Sequence, residues 1–158
     1  MREKLQNLLE QAYELCEDGN YVMALEYYDT SLDIEPDNLN VMVDKGVTLQ
    51  NLGRFNGALQ MYEKALSIES ENLDALINKG SVLHTLKKYS ESISCYDAVL
   101  DHDKRNAMAL AYKGLSIGEM GNIPSAFKYF KKALRMDQDY DLAQISLLTA
   151  KNILKNMP

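Results

Sequence analysis

Laid over itself so that Ala24 meets Ala58, the chain matches itself three times without a gap, and this fixed 34-residue period constrains its architecture more than any other feature. Ala24, Ala58, Ser92 and Ala126 fall in one column, and Tyr28, Tyr62, Tyr96 and Phe130 in the column four positions on. Ser31, Ala65, Val99 and Ala133 follow, then Leu32, Leu66, Leu100 and Leu134. Spacings of four, seven and eight put all of these side chains on one face of a helix. A preceding helix has its own columns: Leu8, Met42, Leu76 and Leu110; Ala12, Gly46, Gly80 and Gly114; Leu15, Leu49, Leu83 and Ile117. The small middle column predicts a close helix crossing, because glycine inside a helix otherwise costs ~1 kcal/mol.

The punctuation agrees with that pairing. Gly19, Gly53 and Gly121 stand between the two helices of units one, two and four, where a C-terminal cap belongs. Lys87 breaks the column, so the turn of unit three is expected to be less ideal. Asn38, Asn72 and Asn106 are good N-caps for the helices that follow them, and Pro124 sits at a helix start. The pattern predicts nine helices near residues 3–18, 21–34, 39–52, 55–68, 73–86, 89–102, 107–120, 123–136 and 141–156, with no strand.

These columns, the aromatic position and Pro36 resemble the tetratricopeptide repeat family. The resemblance covers residues 5–38, 39–72, 73–106 and 107–140 as four repeats, with residues 141–156 as a closing helix in a single domain spanning 1–158. It departs where Leu or Met replaces the family's aromatic early in each first helix, and where only unit one keeps the proline. The resemblance implies an all-α fold, a right-handed superhelical solenoid of antiparallel helix pairs with a concave and a convex face. The closing helix is expected to cover the last repeat, which otherwise exposes the face its next neighbour would bury. Leu142, Ala143, Leu147, Ala150, Ile153, Leu154 and Met157 form its broad apolar side, with Ile145 and Leu148 outside it as edge packing or a sticky patch.

In the family the first helix of each unit lines the concave groove. With the packed columns inward, the groove-facing columns become Leu9, Val43, Ile77 and Ala111, and then Tyr13, Val47, Ser81 and Leu115. Flanking columns hold Gln6, Asn40, Asp74 and Met108; Glu10, Asp44, Asn78 and Tyr112; and Glu17, Asn51, Thr85 and Glu119. The expected site is an apolar floor with an acidic rim. Relatives that grip carboxylate-ended chaperone tails use Lys, Arg and Asn in these places, and here only Asn78 could stand for such a group. The expected ligand is another polypeptide, neutral to basic with apolar anchors. The alternative is a self-associating scaffold module that meets another copy through the same groove or through its charged ends. Lys45, Lys79 and Lys113 form a further column, either with stems covering repeat interfaces or as a basic row for a ligand.

Composition narrows the remaining classes. The net charge of −6 argues against nucleic-acid binding, and its spread is uneven. Residues 1–80 carry 6 basic and 15 acidic residues, residues 81–158 carry 11 and 8. No stretch approaches the ~18 apolar residues of a membrane span, and no apolar run behind the N-terminus suggests a secretory signal. Cys16 and Cys95 stand far apart, so no disulfide framework or zinc site is expected and a reducing, cytoplasmic location fits best. His84 and His102 lack metal-ligand spacing, with His84 a weak candidate for ligand contact. There is no glycine-rich phosphate loop or nucleophile elbow, so neither catalysis, nor a cofactor, nor a metal is expected.

Overall fold

The computed structural model describes residues 1–158 and is built from helices alone. They are α1 (Arg2–Glu17), α2 (Tyr21–Ile34), α3 (Leu39–Asn51), α4 (Phe55–Ile68), α5 (Leu73–Thr85), α6 (Tyr89–His102), α7 (Ala107–Glu119), α8 (Ile123–Met136) and α9 (Asp141–Lys155). They gather into two compact units, Met1–Val82 and Leu83–Pro158, with the boundary inside α5.

Local chemistry sets the helix ends. Asn38, Asn72 and Asn106 each accept a hydrogen bond from the backbone N–H three positions on, at 3.2, 2.9 and 2.9 Å. Those bonds satisfy N–H groups that a helix start leaves without an internal partner. At the other end of each first helix the chain reverses through one left-handed residue. Gly19, Gly53 and Gly121 have φ of 76°, 70° and 90°. Lys87 takes the same role at φ 61°, the one non-glycine residue in this region. Behind each, an N–H reaches back to the carbonyl five positions earlier: Asn20 to Leu15, Arg54 to Leu49, Lys88 to Leu83 and Asn122 to Ile117. That is the bond of a Schellman cap, and it forms in all four turns. The third turn keeps the geometry, and the missing glycine leaves only backbone strain.

Packing follows the columns. Tyr28, Tyr62, Tyr96 and Phe130 are all buried, with Tyr62 wholly so. Gly46 and Gly114 lie directly on these rings. A Cβ at Gly46 would fall well inside contact with Tyr62 Cε1, and one at Gly114 would meet Phe130 Cε1 at 2.7 Å. The small-residue column therefore exists because an aromatic ring of the second helix rests on the backbone of the first. In the first unit Ala12, Ala24, Tyr28 and Val41 form one core cluster. In the second, Leu110, Ala111, Ala133 and Ala143 form one cluster, and Ala126, Phe130 and Ala150 another. Ala143 and Ala150 belong to α9, so the closing helix is part of this core.

A polar seam runs beside the apolar one. Cys16 Sγ lies 3.8 Å from Tyr28 Oη and 3.5 Å from Thr48 Oγ1. Tyr62 Oη donates to Gln50 Oε1 at 3.2 Å, and Gln50 Nε2 donates to Ser81 Oγ at 3.3 Å. His84 Nδ1 lies 2.9 Å from Ser116 Oγ, which also lies 3.2 Å from Ser92 Oγ. Cys16, Gln50 and His84 occupy one column of the repeat, so each bridges its own unit to the next. Partnering these atoms removes the cost of burying them bare. Burial pushes the phenols upward: Tyr62 and Tyr96 stay protonated well above their ordinary range.

Candidate functional site

The outward stripe of each first helix is narrower than expected, and it is shifted. Val43 is 8 % exposed and Ala111 is 0 % exposed, so neither can form a groove floor. Ala111 is sealed between Leu110, Ala133 and Ala143. Val43 belongs to the core, as do its neighbours Val41 and Met42. The reason is steric. An inner first helix is flanked by helices on two sides, and the Leu9, Val43, Ile77, Ala111 column points partly at a neighbour. Leu9 packs against the first core cluster, and Ile77 is half-buried.

Four other columns remain open, spaced by four, three and four positions along one helical face. They begin at Gln6, Glu10, Tyr13 and Glu17, so the acidic residues placed on the rim run through the middle of the stripe.

In the first unit this stripe brings Tyr13, Asp44 and Asp74 together from α1, α3 and α5. Tyr13 is 44 % exposed, and its hydroxyl donates to Asp44 Oδ2 at 3.0 Å. Burial and the Asp44 charge push the Tyr13 phenol up to about 12. Partial burial raises the Asp44 carboxyl above its ordinary range, Tyr13's hydrogen bond pulls it back, and Asp74 raises it again. A carboxylate whose charge is disfavoured by burial first and by a neighbouring acid is a place where a cation is welcome. Val47 lies half-buried on the same stripe. Asn78 turns its amide back to donate to the Asp74 carbonyl at 2.8 Å, and Ser81 is engaged by Gln50.

In the second unit Met108 is 42 % exposed. Tyr112 leans on Tyr96 with ring centroids 5.8 Å apart. Its hydroxyl is also bonded with that of Tyr140, whose phenol is pushed up to about 12 by burial first and Tyr112 second. Leu115 packs against the Ala126, Phe130 and Ala150 cluster and lines a cavity of about 420 Å³ with Ile145 and Ile153 of α9.

Two further groups take structural positions. His84 is spent on Ser116, and its ring meets Tyr89 edge-on at 5.2 Å. The lysine column is paired, not free: Lys45 with Asp29, Lys79 with Glu63 at 3.4 Å and Lys113 with Asp97. Each acid precedes its lysine by the same interval and lies on the second helix of the preceding repeat. The acid column Asp29, Glu63 and Asp97 recurs in the sequence, but that it meets the lysines is decided by the packing of one repeat on the next.

Paired antiparallel helices at a constant 34-residue period define an all-α helical repeat of the solenoid class. Residues 49–113 match the tetratricopeptide repeat family model, and the same columns continue on either side. Among similar solved structures is MamA from residue 41 onward of Desulfovibrio magneticus RS-1. It is 20 % identical, with 96 % of this chain and 92 % of that one covered and a TM-score of 0.79. PilF of Pseudomonas aeruginosa is 20 % identical, with 98 % and 70 % covered and a TM-score of 0.87. The first tetratricopeptide repeat domain of Spaghetti, bound to an HSP90 peptide, is 19 % identical, with 75 % and 94 % covered and a TM-score of 0.70. These identities carry the fold alone. No curated protein sequence matches the chain.

Proposed function

We propose that the chain is a non-catalytic protein-interaction module that takes a neutral-to-basic polypeptide segment on the outward stripe of its first helices. The observation that carries this reading is the half-exposed Tyr13 fixed by Asp44 beside Asp74. An ordered aromatic supplies contact area at little entropic cost, and a ligand Lys or Arg beside the two carboxylates relieves their mutual repulsion. Half-buried Leu9, Val47 and Ile77 supply apolar contact nearby in sequence register, and Met108 does so in the second unit. The Spaghetti domain, a structure of the same fold with a peptide bound, supports the general mode. No helix is long and apolar enough to cross a membrane. Two cysteines far apart in the sequence suit a reducing, cytoplasmic location.

The test is an anisotropy titration with a labelled peptide of spaced Leu and Lys, against its Leu and Glu counterpart. Tyr13→Ala and Ile77→Asp should each weaken the Lys peptide on the order of tenfold, and Asp44→Asn with Asp74→Asn should weaken it most at low salt. Val43→Asp is unsuitable, because a carboxylate at that buried position would damage the fold before it reported on binding. Unchanged affinity in Tyr13→Ala and Ile77→Asp would place the binding surface elsewhere.

A second reading, self-association, is favoured by one observation. Ile145 and Leu148 of α9 are 65 % and 61 % exposed, so they form an open apolar patch and not edge packing. Sedimentation over a range of concentrations separates the two: a rising mass abolished by Ile145→Lys supports self-association.

A further inference from the structure

The second unit holds a cavity of about 600 Å³ between α6, α7 and α8 that shares no residue with the stripe described above. Its floor is apolar, from Leu100, Leu110 and Met136. Its wall carries Lys104, Lys132 and Arg135. These three are exposed, and no carboxylate of the chain pairs with any of them. Lys132 instead stands over the Tyr129 ring at 5.1 Å, and Lys113 lies 4.7 Å from the same ring. The cavity also holds two carboxylates, of which Asp97 is neutralised by Lys113 and Asp101 stays open.

The repeat supplies an internal control. The position of Lys104 is Pro36 and Ser70 in the earlier units, that of Lys132 is Thr30, Lys64 and Ala98, and that of Arg135 is Asp33, Ser67 and Asp101. Tyr129 stands where units two and three have Met61 and Cys95 and unit one has Tyr27. Packing therefore does not require the three cations together, since no equivalent place in the same fold gathers more than one of them. The lysine–acid pair, by contrast, recurs at every junction and is structural. Three cations without a carboxylate partner gather at one cavity of a chain with net charge −6, and of them only Lys132 gains a contact within the fold, with the Tyr129 ring.

We propose that this cavity is a separate docking site for an acidic peptide segment of a partner protein, one with an apolar anchor between spaced carboxylates. The anchor fills the floor of Leu100, Leu110 and Met136. The carboxylates meet Lys104, Lys132 and Arg135, where charge-assisted hydrogen bonds form without breaking an existing pair. The open Asp101 selects against a compact dianion and for carboxylates spread along a chain. The apolar floor is surplus to what a free phosphate needs.

The experiment titrates the whole chain with three labelled 12-residue peptides of spaced Leu with Glu, Gln or Lys between. The Glu peptide should bind on the order of tenfold or more tightly than the Gln peptide, with an affinity that falls as salt rises. Lys132→Glu with Arg135→Glu should remove that preference. Lys128→Glu with Lys151→Glu, the same charge change outside the cavity, should leave it. Replacing the peptide's Leu by Ala should weaken binding through the floor. Asp44→Asn with Asp74→Asn should not affect the Glu peptide, so failure here is distinct from failure at the stripe. If the reversed pair alters the helical circular dichroism, Lys104→Gln in the loop before α7 carries the same expectation. The proposal is overturned if the control pair loses binding equally. It is also overturned if inorganic phosphate displaces the Glu peptide as well as unlabelled peptide does. A concentration-dependent mass abolished by Lys132→Glu with Arg135→Glu would make the occupant a second copy, and would overturn it too.

Discussion

Replacing Lys87 by glycine should stabilise the protein, and the size of the effect follows from the turn geometry. Lys87 holds φ at 61°, where a side chain's Cβ crowds the following carbonyl at a cost of roughly 1–2 kcal/mol. Glycine removes that strain and gives back ~0.4–1 kcal/mol through the larger freedom of its unfolded chain. The net gain is about 0.5–1 kcal/mol. Nothing is lost with the side chain, because Lys87 is exposed and in no ion pair. The reciprocal change is Gly53→Ala. A Cβ there meets no atom within 4 Å, so any loss is backbone strain and not a clash. It should cost a similar ~0.5–1 kcal/mol. For a chain of this size ~1 kcal/mol moves Tm by roughly 2–4 °C. Urea unfolding followed by circular dichroism reads both variants, and the slope should stay constant because neither changes the surface exposed. Lys87→Gly leaving the midpoint unchanged or lower, with Gly53→Ala harmless, would refute the claim that the left-handed residue of each turn is strained when it is not glycine.

Three other outcomes are expected. Gly46→Ala drives a Cβ into the buried Tyr62 ring, and overpacking of ~1–3 kcal/mol should appear in the same urea assay. Asp44 holds its proton more tightly folded than unfolded, so its contribution to stability is present below about pH 4 and is lost as pH rises through the folded pKa. Asp44→Asn still accepts from Tyr13, so it should match the parent's Tm in acid and exceed it at neutral pH; equal Tm at both would remove that assignment. Deleting residues 141–158 strips Ala143 and Ala150 from the two clusters of the second unit. Light scattering should then show aggregation, and a monomer with unchanged Tm would end the capping role.

The helices, their turns and their core were legible in the sequence because each rests on local chemistry that recurs in every unit. Asn38, Asn72 and Asn106 cap whatever helix follows them, and Gly46 and Gly114 admit the rings of Tyr62 and Phe130 because nothing larger fits. Each such position is tested again in each unit, so a chance pattern is easily told from a required one. The candidate surface was legible only in part. Columns chosen by helical angle put Val43 and Ala111 outward, yet both are buried. Which flank of a helix is covered depends on how far the neighbouring helix leans over it, a tertiary quantity that period alone does not contain. The same holds for the lysine column. Lys45, Lys79 and Lys113 look free in the sequence, and only the packing of one repeat on the next brings an acid of the preceding unit within reach. Their partners are non-local, so the pairing was decided where helices meet and not within any one of them.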